Sequence, residues 1–193
     1  MDEAAVRPDT RLGADATASA PALLLRPWRD DDAPALLAAC RDPALRRWTS
    51  HRVADEADAH RWLRREAQAW QRGERLAFAV LETPSNGGED VLAGQAVLKG
   101  LTPRSESAEV GYWTAAHARG RGVAPRALRA LTDWAFTAHP WLTRLELLHQ
   151  ADNTASCRVA HKSGYPYERS LPAVPPDFPS DGHLHVRRAT ARG

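Results

Sequence analysis

Two short stretches of this 193-residue chain concentrate groups that can do chemistry. The first runs from Glu109, Val110, Gly111 and Tyr112 to Arg119-Gly120-Arg121-Gly122-Val123-Ala124-Pro125. There a strand-like run ends, a short loop turns, and a helical pattern starts inside a turn that holds two glycines. The start of a helix exposes backbone N–H groups and the positive end of the helix dipole, which together hold phosphate. Gly120 and Gly122 allow the backbone to approach a diphosphate closely. Pro125 suits a first helical turn, where a missing N–H costs little, and Arg119 and Arg121 add mobile positive charge. No Gly-Lys-Ser or Gly-Lys-Thr follows, so this is not a Walker loop. The Gly-x-Gly-x-x-Gly spacing of a dinucleotide crevice is also missing. By residue types alone, an ordinary strand–turn–helix with charged turn residues fits as well. The second stretch, Asn153-x-x-Ser156, puts two polar side chains on one side of a helix, with Asn153 able to cap it.

Elements of the right kind surround both stretches. Residues 22–25 form a short apolar run that reads as a first strand, and Asp30 to Asp32 offer N-caps for a helix over 33–40. A second helical pattern starts near Asp55, with Ala59, Trp62, Leu63, Ala67 and Trp70 on one face and Gly73 ending it. Residues 76–81, 91–98 and 108–114 read as three strands with short links, an antiparallel meander. The period then changes. Val123, Ala127, Leu131, Trp134, Ala135 and Ala138 make one face of a long helix, and Arg126, Arg129, Asp133 and Thr137 make the other. A buried-type strand over 142–148, a short helix over 153–163 ended by Gly164, and strands over 165–171 and 184–189 close the chain. Residues 172–182 are too rich in proline to be regular. The order predicts a mixed α/β fold with no internal repeat.

Composition limits the function classes. Formal net charge is only +2, which does not mark a nucleic-acid-binding protein. No apolar run approaches the roughly 20 residues of a membrane-spanning helix. Residues 1–21 lack the apolar core of a secretory signal and read as a disordered leader, leaving 22–193 as one domain. Cys40 and Cys157 are the two cysteines, too few for a disulfide framework and without a Cys-x-x-Cys pair; they read as free thiols in a reducing cytoplasm. His183-x-His185 places two imidazoles on one strand face, but no third ligand is evident, and no metal is expected.

Taken together, the landmarks resemble those of the GNAT superfamily of N-acetyltransferases. Arg119-x-x-Gly122-x-Ala124 resembles the family's diphosphate loop, and Glu109-Val110-Gly111-Tyr112-Trp113 the strand before it. Asn153-x-x-Ser156 followed by His161-Lys162-Ser163-Gly164-Tyr165 resembles its Asn-x-x-Ser and Lys-x-Gly-Phe signatures. Leu24-Leu25-Arg26-Pro27-Trp28 with Asp31-Asp32-Ala33 resembles the opening of the subgroup that includes ribosomal-protein N-terminal acetyltransferases (RimJ/RimL-like). The resemblance spans residues 23–190. Pro125 departs from it, standing where a Thr or Ser is common, and so does Ser163 between Lys and Gly.

The resemblance implies a central, mostly antiparallel sheet of six to seven strands, splayed in the middle and flanked by about four helices. It implies acetyl-CoA as co-substrate, no metal, and direct attack by a primary amine of a protein N-terminus or a small molecule. Val110, Gly111, Tyr112, Arg119, Gly120, Arg121, Gly122, Val123, Ala124, Asn153 and Ser156 would then hold the CoA. A backbone N–H within 110–112 would polarise the thioester carbonyl. Ser156 would protonate the thiolate, and Glu109 would take the ammonium proton through water, with Asp177 and His183 as alternative bases. Tyr112 joins Ser156 and Glu109 as a catalytic residue. Trp48 and His51 would wall the acceptor pocket, and Asp177, in the proline-rich segment, would attract a cationic amine. Two other readings keep the fold: a donor that is aminoacyl-tRNA, recognised by Arg126 and Arg129, or a non-catalytic acyl-CoA-binding module. The chain would act as a monomer or homodimer.

Overall fold

The computed structural model of the chain describes residues 9–49, 53–102, 105–176 and 179–190. Eight strands form one sheet, β1 (Leu12–Ala14), β2 (Ala22–Pro27), β3 (Arg75–Thr83), β4 (Val91–Lys99), β5 (Ser107–Thr114), β6 (Arg144–Gln150), β7 (Tyr167–Leu171) and β8 (Gly182–Arg188). Their spatial order is β1-β2-β3-β4-β5-β6-β8-β7. Every neighbouring pair is antiparallel except β5 and β6, which are parallel. Five helices flank the sheet, α1 (Ala33–Cys40), α2 (Pro43–Trp48), α3 (Glu56–Gln71), α4 (Val123–Ala138) and α5 (Thr154–Lys162). None of the described helices is long and apolar enough to cross a membrane.

The sheet is covered on both faces, so β3 is buried along its length, and this is why its sequence is a continuous apolar run rather than an alternation. Leu76, Phe78 and Val80 point to the face covered by α4, and Ala77, Ala79 and Leu81 to the face covered by α1 and α3. Phe78 is held edge-on by Trp70 at 4.9 Å and Trp134 at 5.5 Å. On the other face Trp28 meets Trp62 edge-on at 5.2 Å and stacks with Trp113 at 6.2 Å. Each such ring pair adds about 0.5–1.5 kcal/mol beyond burial. A register shift at Val80/Leu81 leaves Ala93 of β4 as an extra residue. At the neighbouring Gly94 a Cβ would lie 2.2 Å from the Trp113 carbonyl oxygen, so only glycine lets β5 approach β4 there.

Two local devices orient the helices. The Arg26 guanidinium at the end of β2 grips the Asp32 carboxylate in a buried fork, 2.7 and 2.8 Å, and Asp32 also accepts the Arg29 N–H at 2.8 Å. This fixes where the chain leaves the sheet for α1. Asp55 caps α3 by accepting the Asp58 N–H at 2.7 Å. The helix then buries Ala59, Trp62, Leu63 and Trp70 at helical spacing.

Three expectations need correction. The leader expected over 1–21 holds an ordered strand, β1, paired to β2 from Leu12↔Leu25 to Ala14↔Leu23; residues 1–8 lie outside the described residues. Three residues are too short to carry a periodic signal. Arg126 is the second correction. Expected on the solvent face of α4, it is buried, and its guanidinium donates to the carbonyls of Ala14 (3.3 Å), Asp15 (2.5 Å) and Pro21 (2.7 Å). It therefore ties the segment around β1 to α4. Third, α2 was not expected. It is only six residues long and starts at Asp42-Pro43, where the Asp42 side chain accepts the Ala44 N–H. The mixed α/β class and the mostly antiparallel sheet hold; β1 brings the strands to eight, one more than the six to seven expected, and the five α-helices accord with about four.

Candidate active site

The parallel ladder between β5 and β6 runs from Ser107↔Arg144 to Val110↔Leu147 and then stops. Beyond it the strands splay, while β5 stays paired with β4 through Thr114. The Ala115 N–H bonds the Ala93 carbonyl at 2.9 Å. By antiparallel alternation the odd-numbered residues of β5 turn their backbone groups to β4 and the even-numbered ones away from it. Tyr112 therefore presents its N–H to the opening, whereas Val110 lies within the ladder.

A cleft of about 640 Å³ fills this opening, within the size range of small-molecule and cofactor sites. Its lining comes from both faces of the sheet. Trp48, Thr49, Lys99, Glu109 and Trp113 stand on one side, and Tyr112, Asn153, Ser156 and the start of α4 on the other.

At one end lies the turn into α4. Gly120 (φ 78°) and Gly122 (φ 74°) both adopt the left-handed conformation that other residues enter only at a cost. Gly122 is the N-cap, and the first N–H to close a helical turn is that of Arg126, to the Gly122 carbonyl at 3.2 Å. The N–H groups of Val123 and Ala124 precede that bond and face outward from the helix start. A Cβ on Gly120 would meet nothing within 4 Å, and one on Gly122 only the Arg126 Cδ at 4.0 Å. The space above the turn is thus free for a ligand. Arg119 pairs with Asp42 and Arg121 with the buried Glu82, so both loop arginines already have carboxylate partners. Arg158 and Lys162, four apart on α5, also line the cleft. Their spacing was readable in the sequence, but only the placement of α5 puts them beside the turn.

At the other end Ser156, buried on α5, hydrogen-bonds Tyr112 through Oγ and OH at 3.0 Å. Asn153 Oδ1 accepts the Ser156 N–H at 3.1 Å, which caps α5 and leaves the Asn153 amide N–H₂ free to donate. Burial pushes the Tyr112 phenol above its usual pKa, against the smaller opposing effect of the Ser156 hydrogen bond. The phenol therefore carries its proton at neutral pH and can supply it along Tyr112–Ser156. Glu109, on the opposite face of β5, pairs with Lys99 at 2.7 Å, its direct cross-strand neighbour. Gly111 keeps the strand between them uncrowded, since a Cβ there would come within 3.2 Å of Val97.

Trp48 lines the cleft at the end of α2, with the Arg47 guanidinium 4.5 Å over its ring. His51 and Asp177 lie outside the described residues. The described part of the proline-rich segment does not line the cleft. Asp181, one of its acids, instead holds its own loop by accepting the Ala173 N–H at 2.9 Å. Arg129, expected on a nucleic-acid-facing surface with Arg126, donates to the Lys162 carbonyl at 2.6 Å. His183 and His185, expected to lack a third ligand, are joined by His149 and Cys157, all four donor atoms lying within 4.8 Å of one another.

Residues 22–166 match the acetyltransferase (GNAT) domain family, and the chain belongs to that family. It is 28% identical over 119 residues to the ribosomal-protein-serine acetyltransferase of Escherichia coli (strain K12), a match covering 62% of this chain and 63% of that relative. The match thus spans less than two thirds of that relative's length. Among solved structures, Mycobacterium smegmatis RimJ in complex with CoA-disulfide superposes with a TM-score of 0.73 at 26% identity, covering 94% of this chain and 88% of that one. A GNAT-family acetyltransferase from Bacillus anthracis superposes at 0.75 with 20% identity, covering 93% and 98%.

Proposed function

We propose that this chain transfers an acetyl group from acetyl-CoA to a primary amine, with the α-amino group of a protein as the first acceptor to test. The observation that carries the reading is the cleft itself. It joins an open helix-start turn at one end to the buried Tyr112–Ser156 pair at the other, through the gap between β5 and β6. The turn suits the diphosphate, with Gly120, Gly122, Val123 and Ala124 offering backbone and Arg119 and Arg121 exchanging carboxylate for phosphate. Val110 and Gly111 flank the pantetheine arm in the gap, and Asn153 donates its amide to it. The Tyr112 N–H polarises the thioester carbonyl. The amine nitrogen attacks the carbonyl carbon, the new C–N bond forms and the C–S bond breaks. The ammonium proton leaves through water to Glu109, and the thiolate takes a proton from Ser156, replenished by Tyr112. Acceptor choice falls to Trp48 and, among residues outside the described set, His51 and Asp177. A protein acceptor is tested first because relatives are named for ribosomal proteins.

The aminoacyl-tRNA alternative loses its support, because Arg126 and Arg129 are both engaged with backbone carbonyls. Incubating the protein with acetyl-CoA, a panel of N-terminal peptides and small amines, with mass spectrometry and free-thiol readout, tests the proposal. The expected result is thiol release matched by one acetyl group on an amine, and strong loss in Glu109→Gln. Tight CoA binding with no thiol release for any amine would make the chain an acyl-CoA-binding module instead.

A further inference from the structure

Beside the cleft, two strands and one helix converge on a second cluster, to which the transfer proposed above assigns no role. His149 on β6 stands directly opposite His183 on β8, and His185 lies two residues along the same face of β8. Helix α5 crosses this face and supplies Cys157. The Cys157 Sγ is 3.3 Å from His183 Nδ1 and 3.5 Å from His149 Nε2, and all four donor atoms lie within 4.8 Å of one another. Tetrahedral zinc, with Zn–N of about 2.0–2.1 Å and Zn–S of about 2.3 Å, separates its ligand atoms by about 3.3–3.6 Å. The two sulfur–nitrogen edges already have that length.

The tautomers are set for ligation. A carbonyl oxygen only accepts, so the His185 Nδ1 that meets the Tyr165 carbonyl at 3.1 Å carries the proton. In the neutral ring its Nε2 is then a bare lone pair, and this atom is buried without a hydrogen-bond partner. His185 itself is fully buried, so that lone pair has no access to solvent. His149 repeats the pattern. Its Nδ1–H donates to the Gln150 carbonyl at 2.7 Å, which leaves Nε2 aimed at the thiol. Backbone carbonyls that hold the outer ring nitrogen are the usual support of metal-binding histidines. Here the Tyr165 carbonyl is placed by the end of α5. Gly164 (φ 79°) donates to the His161 carbonyl and Tyr165 to the Ala160 carbonyl, a Schellman cap that sends Tyr165 into the core.

We propose that His149, Cys157, His183 and His185 form a binding site for a zinc-type divalent transition metal ion. One thiolate and three neutral imidazoles are soft and borderline donors, unsuited to magnesium or calcium, which take oxygen. Four protein ligands leave no open position, so the ion is structural. It cross-links β6, α5 and β8 and thereby braces the wall that carries Ser156. Binding releases the Cys157 thiol proton as the sulfur–metal bond forms, with no change of oxidation state. His149 also lines the cleft, which supplies a route of entry.

The test uses tag-free full-length protein, stripped with chelator and titrated with cobalt(II) and zinc(II). The wild type should take up one equivalent of cobalt with tetrahedral d–d bands and a thiolate-to-metal charge-transfer band. Zinc should raise its thermal midpoint and suppress alkylation of Cys157. Cys157→Ser should abolish the charge-transfer band and lower zinc affinity at least about 100-fold, since loss of an outer-shell partner alone costs about 10–100-fold. His183→Asn, a conservative change at a half-buried position, should weaken zinc similarly with circular dichroism unchanged, and Cys40→Ser should bind as wild type. A wild type with no charge-transfer band and no zinc-dependent midpoint would overturn the proposal, as would unaltered binding by both Cys157→Ser and His183→Asn. The CoA titration and thiol-release assay report independently on acyl transfer.

Discussion

At the residue scale, the proposed transfer rests on two hydroxyls, one on β5 and one on α5, that share a hydrogen bond. Ser156 reaches Tyr112 because Asn153 caps α5 and sets the rotation of its first turn. Ser156→Ala and Tyr112→Phe should each lower kcat by about 10²–10⁴ where chemistry limits the rate. The KM for acetyl-CoA should change little, and the double variant should lose scarcely more than either single one, because the pair acts as a unit. Steady-state kinetics of the four forms checks this; full additivity would separate the two roles. Gly122 makes a different contribution, through its backbone. At φ 74° a valine is strained by about 1–3 kcal/mol, and its branches enter the space that a diphosphate would fill. Gly122→Val should weaken CoA binding on the order of tenfold or more in a calorimetric titration, with the circular dichroism spectrum unchanged.

Helices and strands matter here for how they are anchored. The Arg26–Asp32 fork is buried and holds the exit from β2 into α1, and through α1 the position of α2 and Trp48. Asp32→Ala leaves the guanidinium buried without its partner. It should lower unfolding free energy by about 3–5 kcal/mol in urea melts, an effect that an exposed pair such as Arg47–Asp152 should not match. Arg47–Asp152 and Arg119–Asp42 nevertheless join α2 to the two ends of the cleft. Occupation of the turn by phosphate would compete for Arg119 and so loosen one of those joins.

At the scale of the whole molecule, burial holds three of the described histidines below their ordinary pKa. His139, at the end of α4, lies edge-on between Trp134 at 5.5 Å and Trp141 at 5.1 Å, with neither ring nitrogen hydrogen-bonded. Burial holds its pKa below the ordinary value, and burial does the same first of all for His149 and His185. Unfolded histidines titrate near about 6.5. Below that pH the unfolded chain binds more protons than the folded one. Stability is therefore full above about pH 6.5 and is lost as pH falls through the lower folded values. The urea midpoint of metal-free protein should drop between about pH 7.5 and about pH 5. His139→Phe, which keeps a ring and removes the titration, should show a shallower drop. Asp42, Asp58 and Glu168 are held below the usual carboxylate range, so their loss falls in a more acidic window.

Much of this was legible in the sequence because it is local. The apolar spacing of α3 and α4, the glycines of the turn, the cap at Asn153 and the stop at Gly164 all act through near neighbours in the chain. Their boundaries in the fold agree closely with the pattern. The order of landmarks also pointed to the family. What depends on distant segments was not legible. Three residues of β1 carry no period of their own and are held by Arg126, more than a hundred positions away, so a basic residue read as solvated is instead buried. The Tyr112–Ser156 contact exists only because β5 and β6 part after Val110. His183 and His185 could be seen to share a strand face, but His149 and Cys157 reach them by strand register and by the path of α5 across the sheet. Periodicity and capping are short-range physics written in adjacent residues; the convergence of side chains from separate elements is decided only when the sheet assembles.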